Sequence, residues 1–186
     1  MAITQQVTSE LSIKRVAAYF KQSHKDTAIS VQRVEDGFLI SDRFIAVKVP
    51  AHPDLFPYVH FDASWERATF ATKEMVSTEG GADIARLWER HCEDDTKQAL
   101  TMTHYLFEIA RARNQPGKLH RKLTTLEEVG VETWETLIDK KFCDLLSPDI
   151  DECEGFLFEQ KEKDMPVLVS ARNGRVALFM PIVNKR

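Results

Sequence analysis

The sequence predicts an α+β domain that contains two similar α-β-β-β units, with a helical insertion between them. The first observation is that residues 38–50 and 167–181 each contain a strand, a polar turn and a second strand that stops at a proline. The second observation is that an amphipathic helix precedes each of these segments. Because such an internal similarity indicates a duplicated structural unit, we expect two helices on one face of a shared sheet.

The length of 186 residues favours a single domain with an insertion over two full domains. The predicted parts are a first α/β half at 1–63, a helical insertion at 64–128 and a second α/β half at 129–186.

The first half begins with a helix that Ser12 caps. Its apolar residues Ile13, Val16 and Phe20 repeat at helical spacing. Three strands follow, at 28–34, 38–40 and 44–49. Gly37 marks the turn between the first two, because glycine accepts the positive φ that tight turns need, and Pro50 ends the third.

The middle of the chain shows helical periodicity from about residue 64 to 114. Ile84, Leu87 and Trp88 make one apolar stripe. A second stripe contains Leu100, Leu106, Phe107 and Ile109. Asp94 and Asp95 are typical of a helix start, where acidic side chains meet the positive end of the helix dipole.

The second half repeats the plan of the first. Five apolar residues share one helical face, and Pro148 stops that helix: Leu137, Ile138, Phe142, Leu145 and Leu146. Alternating strands are predicted at 155–160, 165–170 and 176–182.

Composition limits the functions that need to be considered. The net charge is −4, so any contact with nucleic acid depends on a local basic patch. No apolar run approaches the length of a membrane span, and the N-terminus lacks a signal-peptide pattern. Cys92, Cys143 and Cys153 are scattered, which favours reduced thiols. We therefore expect a cytoplasmic protein that does not contact membranes.

Three segments resemble parts of a DNA sliding-clamp domain. Residues 31–41 resemble its sheet hairpin, and residues 140–146 followed by 167–176 resemble the second half of such a domain. Residues 176–182, which include Met180 and Pro181, are similar to the last strand of bacterial clamps. The resemblance covers 12–50 and 136–183. Clamp rings contain several such domains and this chain supplies one, and residues 64–128 have no counterpart.

The resemblance implies two kinds of functional residue. Clamp helices present lysine and arginine to DNA phosphates without reading sequence. The corresponding residues here are Lys14, Arg15, Lys21, Lys25, Lys140 and Lys141. The last clamp strand lies near a groove for partner peptides, which implies partner binding by Phe179, Met180, Pro181 and Ile182. The alternatives are a solvated helix face for the cations and an ordinary core strand for the apolar residues.

A second basic run is visible without the resemblance. It contains Arg111, Arg113, Lys118, Arg121 and Lys122, with almost no acid nearby. Tyr105 and Phe107 precede it, so aromatic stacking beside phosphate contact is one interpretation. The other is a helix end that favours cations and leads into an exposed loop.

Signals for catalysis and metal binding are weak. His91, Asp95 and His104 are ligand types, but neighbouring helix positions point in different directions, and an acidic helix start explains the carboxylate. No phosphate-binding glycine loop or nucleophile elbow occurs. We predict no metal, no cofactor and no enzymatic activity.

Three hypotheses remain. The first is a non-enzymatic accessory protein with a clamp-like domain, which binds DNA phosphates, a replication or repair partner, or both. The second is a protein-binding module or inhibitor that works through its helical insertion, favoured if the stripe of Ile84, Leu87 and Trp88 is exposed. The third is an enzyme with an unrecognised site. We favour the first, and the sequence leaves open whether the protein forms a homo-oligomer.

Overall fold

The protein is an α+β protein, as the sequence predicts. The computed structural model describes residues 7–74, 76–93, 96–109, 118–126, 132–147 and 149–182. The helices are α1 (Ile13–Ser23), α2 (Ile84–Cys92), α3 (Lys140–Leu146) and the single turn α4 (Ile150–Cys153), with a 3₁₀ turn at Pro53–Leu55. The strands are β1 (Ile29–Val34), β2 (Gly37–Ser41), β3 (Ile45–Val49), β4 (Arg67–Phe70), β5 (Ser77–Glu79), β6 (Gln98–Ile109), β7 (Lys118–Thr125), β8 (Glu135–Asp139), β9 (Leu157–Gln160), β10 (Val167–Ala171) and β11 (Gly174–Phe179).

The described strands form one antiparallel sheet. Its order is β5-β4-β1-β2-β3-β11-β10-β9-β6-β7-β8. Strand β3 pairs with β11 in the middle, where Val47 lies opposite Ala177 and Ile45 lies opposite Phe179. From this contact the order continues through β2 and β1 on one side and through β10 and β9 on the other. The two halves of the chain are therefore joined within a single sheet.

Helices α1 and α3 pack over the same buried cluster on one face of the sheet. Val16 and Phe20 of α1 belong to this cluster together with Phe142 and Leu145 of α3. The rings of Tyr19 and Phe142 also meet edge to face, with centroids 6.2 Å apart. The two helices are therefore neighbours.

Helix α2 lies on the other face of the sheet. Its residues Ile84 and Cys92 are buried with Leu39 and Leu178, and Trp88 packs against this second cluster. Side chains alternate between the faces along a strand, so Leu39 and Leu178 point away from the α1 side. The apolar stripe of α2 is thus mainly used to cover the sheet.

Gly37 is required at the turn between β1 and β2. Its φ is +141°, and a Cβ atom there would lie 2.2 Å from the Val49 carbonyl oxygen. Any side chain would therefore force β2 and β3 apart, which confirms the turn that the sequence predicts.

The predicted helical insertion is wrong for most of residues 64–128. Within the described part of this range, α2 is a helix, whereas β4, β5, β6 and β7 are strands. In β6, Leu100 and Met102 are buried while Thr101 between them is exposed. This alternation of two is typical of a strand, and threonine favours it. The predicted helix start at Asp94 and Asp95 lies outside the described residues.

The predicted second helix also begins later than expected. Leu137 and Ile138 belong to β8, and α3 starts after Asp139. The Asp139 carboxylate accepts a hydrogen bond from the Lys141 amide at 3.1 Å, so it caps the helix. The apolar residues on both sides of Asp139 have helical spacing. The helix nevertheless begins only after Asp139, because this residue caps it.

Candidate nucleic-acid interface

Helix α1 presents lysines to solvent because its apolar residues face the sheet. Val16 and Phe20 are fully buried and lie about one turn apart. Ser12 occupies the N-cap position, where its carbonyl oxygen accepts from the Val16 amide at 3.1 Å and its hydroxyl makes no capping bond. Lys14 and Lys21, about two turns apart, therefore share the outer side of the helix.

The buried carboxylate of Asp42 anchors the other side of α1. It accepts hydrogen bonds from the Tyr19 hydroxyl at 2.7 Å and from the Ser23 hydroxyl. The backbone amides of Phe44 and Ile45 donate to the same carboxylate at 3.0 Å each. Burial, reinforced by the Asp42 charge, raises the pKa of Tyr19 far above its usual value. The hydroxyl therefore stays protonated and donates to Asp42.

Two buried side chains close the space between α1 and the 3₁₀ turn. The Nε2 atom of His24 lies 2.6 Å from the Ala71 carbonyl oxygen, and its Nδ1 atom lies 3.0 Å from the Tyr58 hydroxyl. Since a carbonyl only accepts, Nε2 carries the hydrogen and Nδ1 accepts from Tyr58. Burial raises the pKa of Tyr58 to about 12, which keeps this hydroxyl protonated.

A groove of about 770 Å³ lies between α1 and the segment that contains the 3₁₀ turn. We call it the basic groove, after the lysines in its lining. Its main residues are Lys14, Lys21, Lys25, Lys73, Phe56 and Tyr58. Asp54 is the acidic residue in the lining, and its carboxylate lies 3.8 Å from the His52 ring. Lysine therefore outnumbers acid, and the groove is positively charged.

The lysines of the basic groove are not neutralised by neighbouring acids. In the part of the chain that the structure describes, no carboxylate lies within 4.0 Å of the Nζ atom of any of them. Lys25 donates instead to the Gln22 side-chain oxygen at 2.9 Å, an uncharged partner. An anion that enters the groove would therefore not have to displace an internal carboxylate.

Other predicted nucleic-acid-binding lysines lie beside carboxylates. The pairs are Lys118–Asp139 at 3.7 Å, Lys122–Glu135 at 2.7 Å and Lys140–Asp144 at 2.5 Å. A phosphate would have to compete with these carboxylates, so the lysines are weaker candidates. Arg111 and Arg113 lie outside the described residues.

The remaining predicted cations contact the protein itself. The Nη1 atom of Arg15 donates to the Leu146 carbonyl at 2.8 Å, at the end of α3. Arg121 is only 9% exposed, and its Nη1 atom lies 3.5 Å from the Thr103 carbonyl oxygen. Lys141 lies over aromatic rings. Among the predicted cations that the structure describes, the accessible ones without a close carboxylate are therefore those of the basic groove.

A second groove, of about 820 Å³, lies on the other side of α1 where the chain leaves β11. We call it the terminal groove, and Phe44, Met180, Pro181 and Ile182 line it. Phe44 is 50% exposed and Met180 is 38% exposed. The Met180 amide donates to the Phe44 carbonyl, and the Ile182 amide donates to the Leu137 carbonyl, each at 2.8 Å. These bonds hold the segment after β11 in place.

The terminal groove differs from the predicted partner site in one residue. Phe179 is fully buried, with its ring 5.4 Å from that of Phe142, so it has no surface to offer a partner. The exposed aromatic residue is Phe44, which the sequence analysis placed in a strand. Both charge signs line this groove, through Arg15, Lys118, Lys141, Asp26, Asp139 and Asp144.

Phe56 and Lys73 also line the basic groove, although neither was predicted as a site residue. Phe56 lies between Pro53 and Pro57, but Leu55 and Tyr58 of the same segment are buried, so the proline-rich pattern alone does not identify Phe56 as exposed. Lys73 lies in a turn with a φ of +64°, and nothing in the sequence relates it to α1.

No model of a known protein family matches this chain, and no curated protein matches it either. The resemblance to sliding clamps therefore stays a prediction. Among the described residues, no group of three or more His, Cys, Asp and Glu side chains is arranged to hold a metal ion. None of the described helices is long and apolar enough to cross a bilayer.

Proposed function

We propose that this protein is a non-enzymatic accessory protein with a clamp-like domain, which binds nucleic-acid phosphates through the basic groove. The observation that carries the proposal is the set of lysines that lines one groove without an ion-pair partner among the described residues: Lys14, Lys21, Lys25 and Lys73. Phosphates are the same for every nucleotide, so binding of this kind does not depend on sequence.

The order of the strands supports a duplicated α-β-β-β unit. Helix α1 precedes β1, β2 and β3, and helix α3 precedes β9, β10 and β11. The two sets of strands pair through β3 and β11 and run outward in the same order. An approximate twofold axis between β3 and β11 would relate them, which is the arrangement expected of a duplicated clamp-like unit.

The negative net charge is compatible with this proposal. Charges in solution act over a Debye length of about 8 Å at physiological salt, so a bound phosphate responds mainly to the lysines around it. The acids that contribute to the charge of −4 are distributed over the whole chain, whereas Asp54 is the acid in the lining of the basic groove.

Removal of the α1 lysines tests the proposal. Each lysine that contacts a phosphate contributes about 0.7 to 0.9 to the slope of log Kd against log salt concentration. We expect the combined Lys14→Ala, Lys21→Ala and Lys25→Ala variant to lower this slope by about 2 to 3 and to weaken binding equally for unrelated sequences. Fluorescence anisotropy with labelled DNA at several salt concentrations measures both quantities.

The matched control removes the same charge from lysines that lie beside carboxylates. It combines Lys118→Ala, Lys122→Ala and Lys140→Ala, and we expect it to keep most of the affinity and of the salt slope. Equal losses in the two variants would contradict binding in the basic groove, as would unchanged binding in the α1 variant.

The terminal groove favours a second role, the binding of a replication or repair partner. Phe44 and Met180 expose apolar surface beside each other in a concave site, and methionine adapts to varied partners. We expect Phe44→Ala combined with Met180→Ala to abolish binding of particular peptides on an array of replication and repair protein segments, while nucleic-acid binding is retained. An array on which no peptide distinguishes this variant from the wild type would contradict the role.

A further inference from the structure

The basic groove combines its lysines with an exposed aromatic side chain. Phe56 follows the 3₁₀ turn and is 64% exposed, compared with 50% for Phe44. Its ring lies 6.0 Å from the His60 ring at an interplanar angle of 42°, so the contact leaves most of its surface open. The open face of the ring is therefore accessible to a ligand that enters the groove.

The chemistry of the groove differs from that of a pure phosphate site. Lysines alone attract duplex and single strands alike, because both expose phosphates. An aromatic ring adds stacking energy only when the ligand has an accessible flat face. In a duplex the bases are stacked on each other, whereas each base of a single strand can stack on a protein ring.

We infer that the basic groove prefers single-stranded nucleic acid to duplex. A base stacks on Phe56 while neighbouring phosphates contact the lysines on α1 and Lys73. The inference rests on the proposed function, since it specifies the ligand of the same groove. The groove volume of about 770 Å³ lies in the range of about 300 to 1,000 Å³ that is usual for small-ligand sites, so it has room for a base beside Phe56.

The experiment compares three probes at one salt concentration: a thymidine 15-mer, a uridine 15-mer and a duplex DNA of the same length. We expect the wild type to bind a single strand more tightly than the duplex. Phe56→Ala should weaken single-strand binding about tenfold, because base–aromatic stacking contributes about that factor or more, and should leave duplex binding unchanged. The two oligomers identify whether the bound strand is DNA or RNA.

Phe44→Ala is the matched control, since it removes an exposed phenylalanine from the terminal groove. It should leave all three affinities unchanged, and Phe56→Tyr should retain the single-strand preference because it keeps an aromatic ring. Phe56 is exposed, so thermal unfolding of Phe56→Ala should be close to that of the wild type, and Phe44→Ala should lose only its share of the contact with Lys141.

The outcomes separate this inference from the proposed function. Equal affinity of the wild type for duplex and single strand, or a Phe56→Ala variant that loses both equally or neither, would overturn the single-strand preference while the phosphate site stands. A wild type that binds none of the probes at low salt would overturn the proposed function itself.

Discussion

Each side of α1 carries at least one basic residue, but the two sides differ in what these side chains contact. On the side of the basic groove, Lys14 and Lys21 have no ion-pair partner among the described residues. On the side of the terminal groove, Arg15 donates to a carbonyl of α3, and Tyr19 and Ser23 donate to Asp42. The comparison teaches that a cation on a helix is available to a ligand only where the rest of the fold leaves it unengaged.

We expect the side of α1 that faces the terminal groove to contribute to stability and the side that faces the basic groove to contribute to binding. Exposed surface charges usually change stability by less than about 0.5 kcal/mol when removed. Buried hydrogen-bonded groups cost more, because their partners remain buried without a bond.

The largest effect is expected at Asp42. This residue is fully buried and accepts bonds from two hydroxyls and two backbone amides. Asp42→Ala should lower the free energy of unfolding by about 3 kcal/mol, because the buried donors lose their acceptor. Urea denaturation followed by circular dichroism measures the change.

An exposed carboxylate is the control for Asp42. Asp36 pairs with Lys48 at 3.5 Å on the surface. Asp36→Ala should change stability by less than about 0.5 kcal/mol. If Asp42→Ala costs no more than Asp36→Ala, the idea that Asp42 anchors α1 fails.

A smaller effect is expected at Lys141. Its Nζ atom lies 5.2 to 5.6 Å from the ring centroids of Tyr19, Phe44 and Phe142. Lys141→Ala should lower the free energy of unfolding by about 0.5 to 1 kcal/mol, since cation–π contacts at accessible sites contribute this much. Chemical denaturation and DNA anisotropy should both be measured, because we expect DNA affinity to stay nearly unchanged.

Lys14→Ala should have the opposite pattern of effects to Lys141→Ala. It should leave stability within about 0.5 kcal/mol of the wild type and reduce the slope of log Kd against log salt concentration by about 0.7 to 0.9. If Lys141→Ala weakens DNA binding as much as Lys14→Ala does, the distinction between the basic groove and the terminal groove is wrong.

The sequence correctly predicted the helices and strands whose residues show a clear helical or strand period. Helix α1 and strands β1 to β3 have clear periods, and Gly37 marks their turn. In the middle of the chain, Leu100, Leu106 and Phe107 fit a helical spacing as well as a strand. Pairing of β6 with β7 and β9 decides between the two, and such long-range pairing leaves no local signal.

The candidate site was predictable only in part. The sequence pointed to Lys14, Lys21 and Lys25 because they lie on the polar side of an amphipathic helix. It also pointed to Lys118 and Lys122, because their acidic partners Asp139 and Glu135 are distant in sequence. The Lys140–Asp144 pair has the i,i+4 spacing of helical neighbours, so the sequence did contain a signal for it. Arg121 looked equally exposed, although the sheet buries it.

The sequence by itself determined the α+β class, the two helix-and-hairpin segments and the outward side of α1, because helical and strand periods are local properties of the chain. Tertiary structure alone decided that Phe56 and Lys73 join the lysines of α1 in one groove. It also decided which cations lie beside carboxylates. The physical reason is that burial and ion pairing depend on distances between residues far apart in sequence, and the sheet sets those distances when it brings β3 against β11.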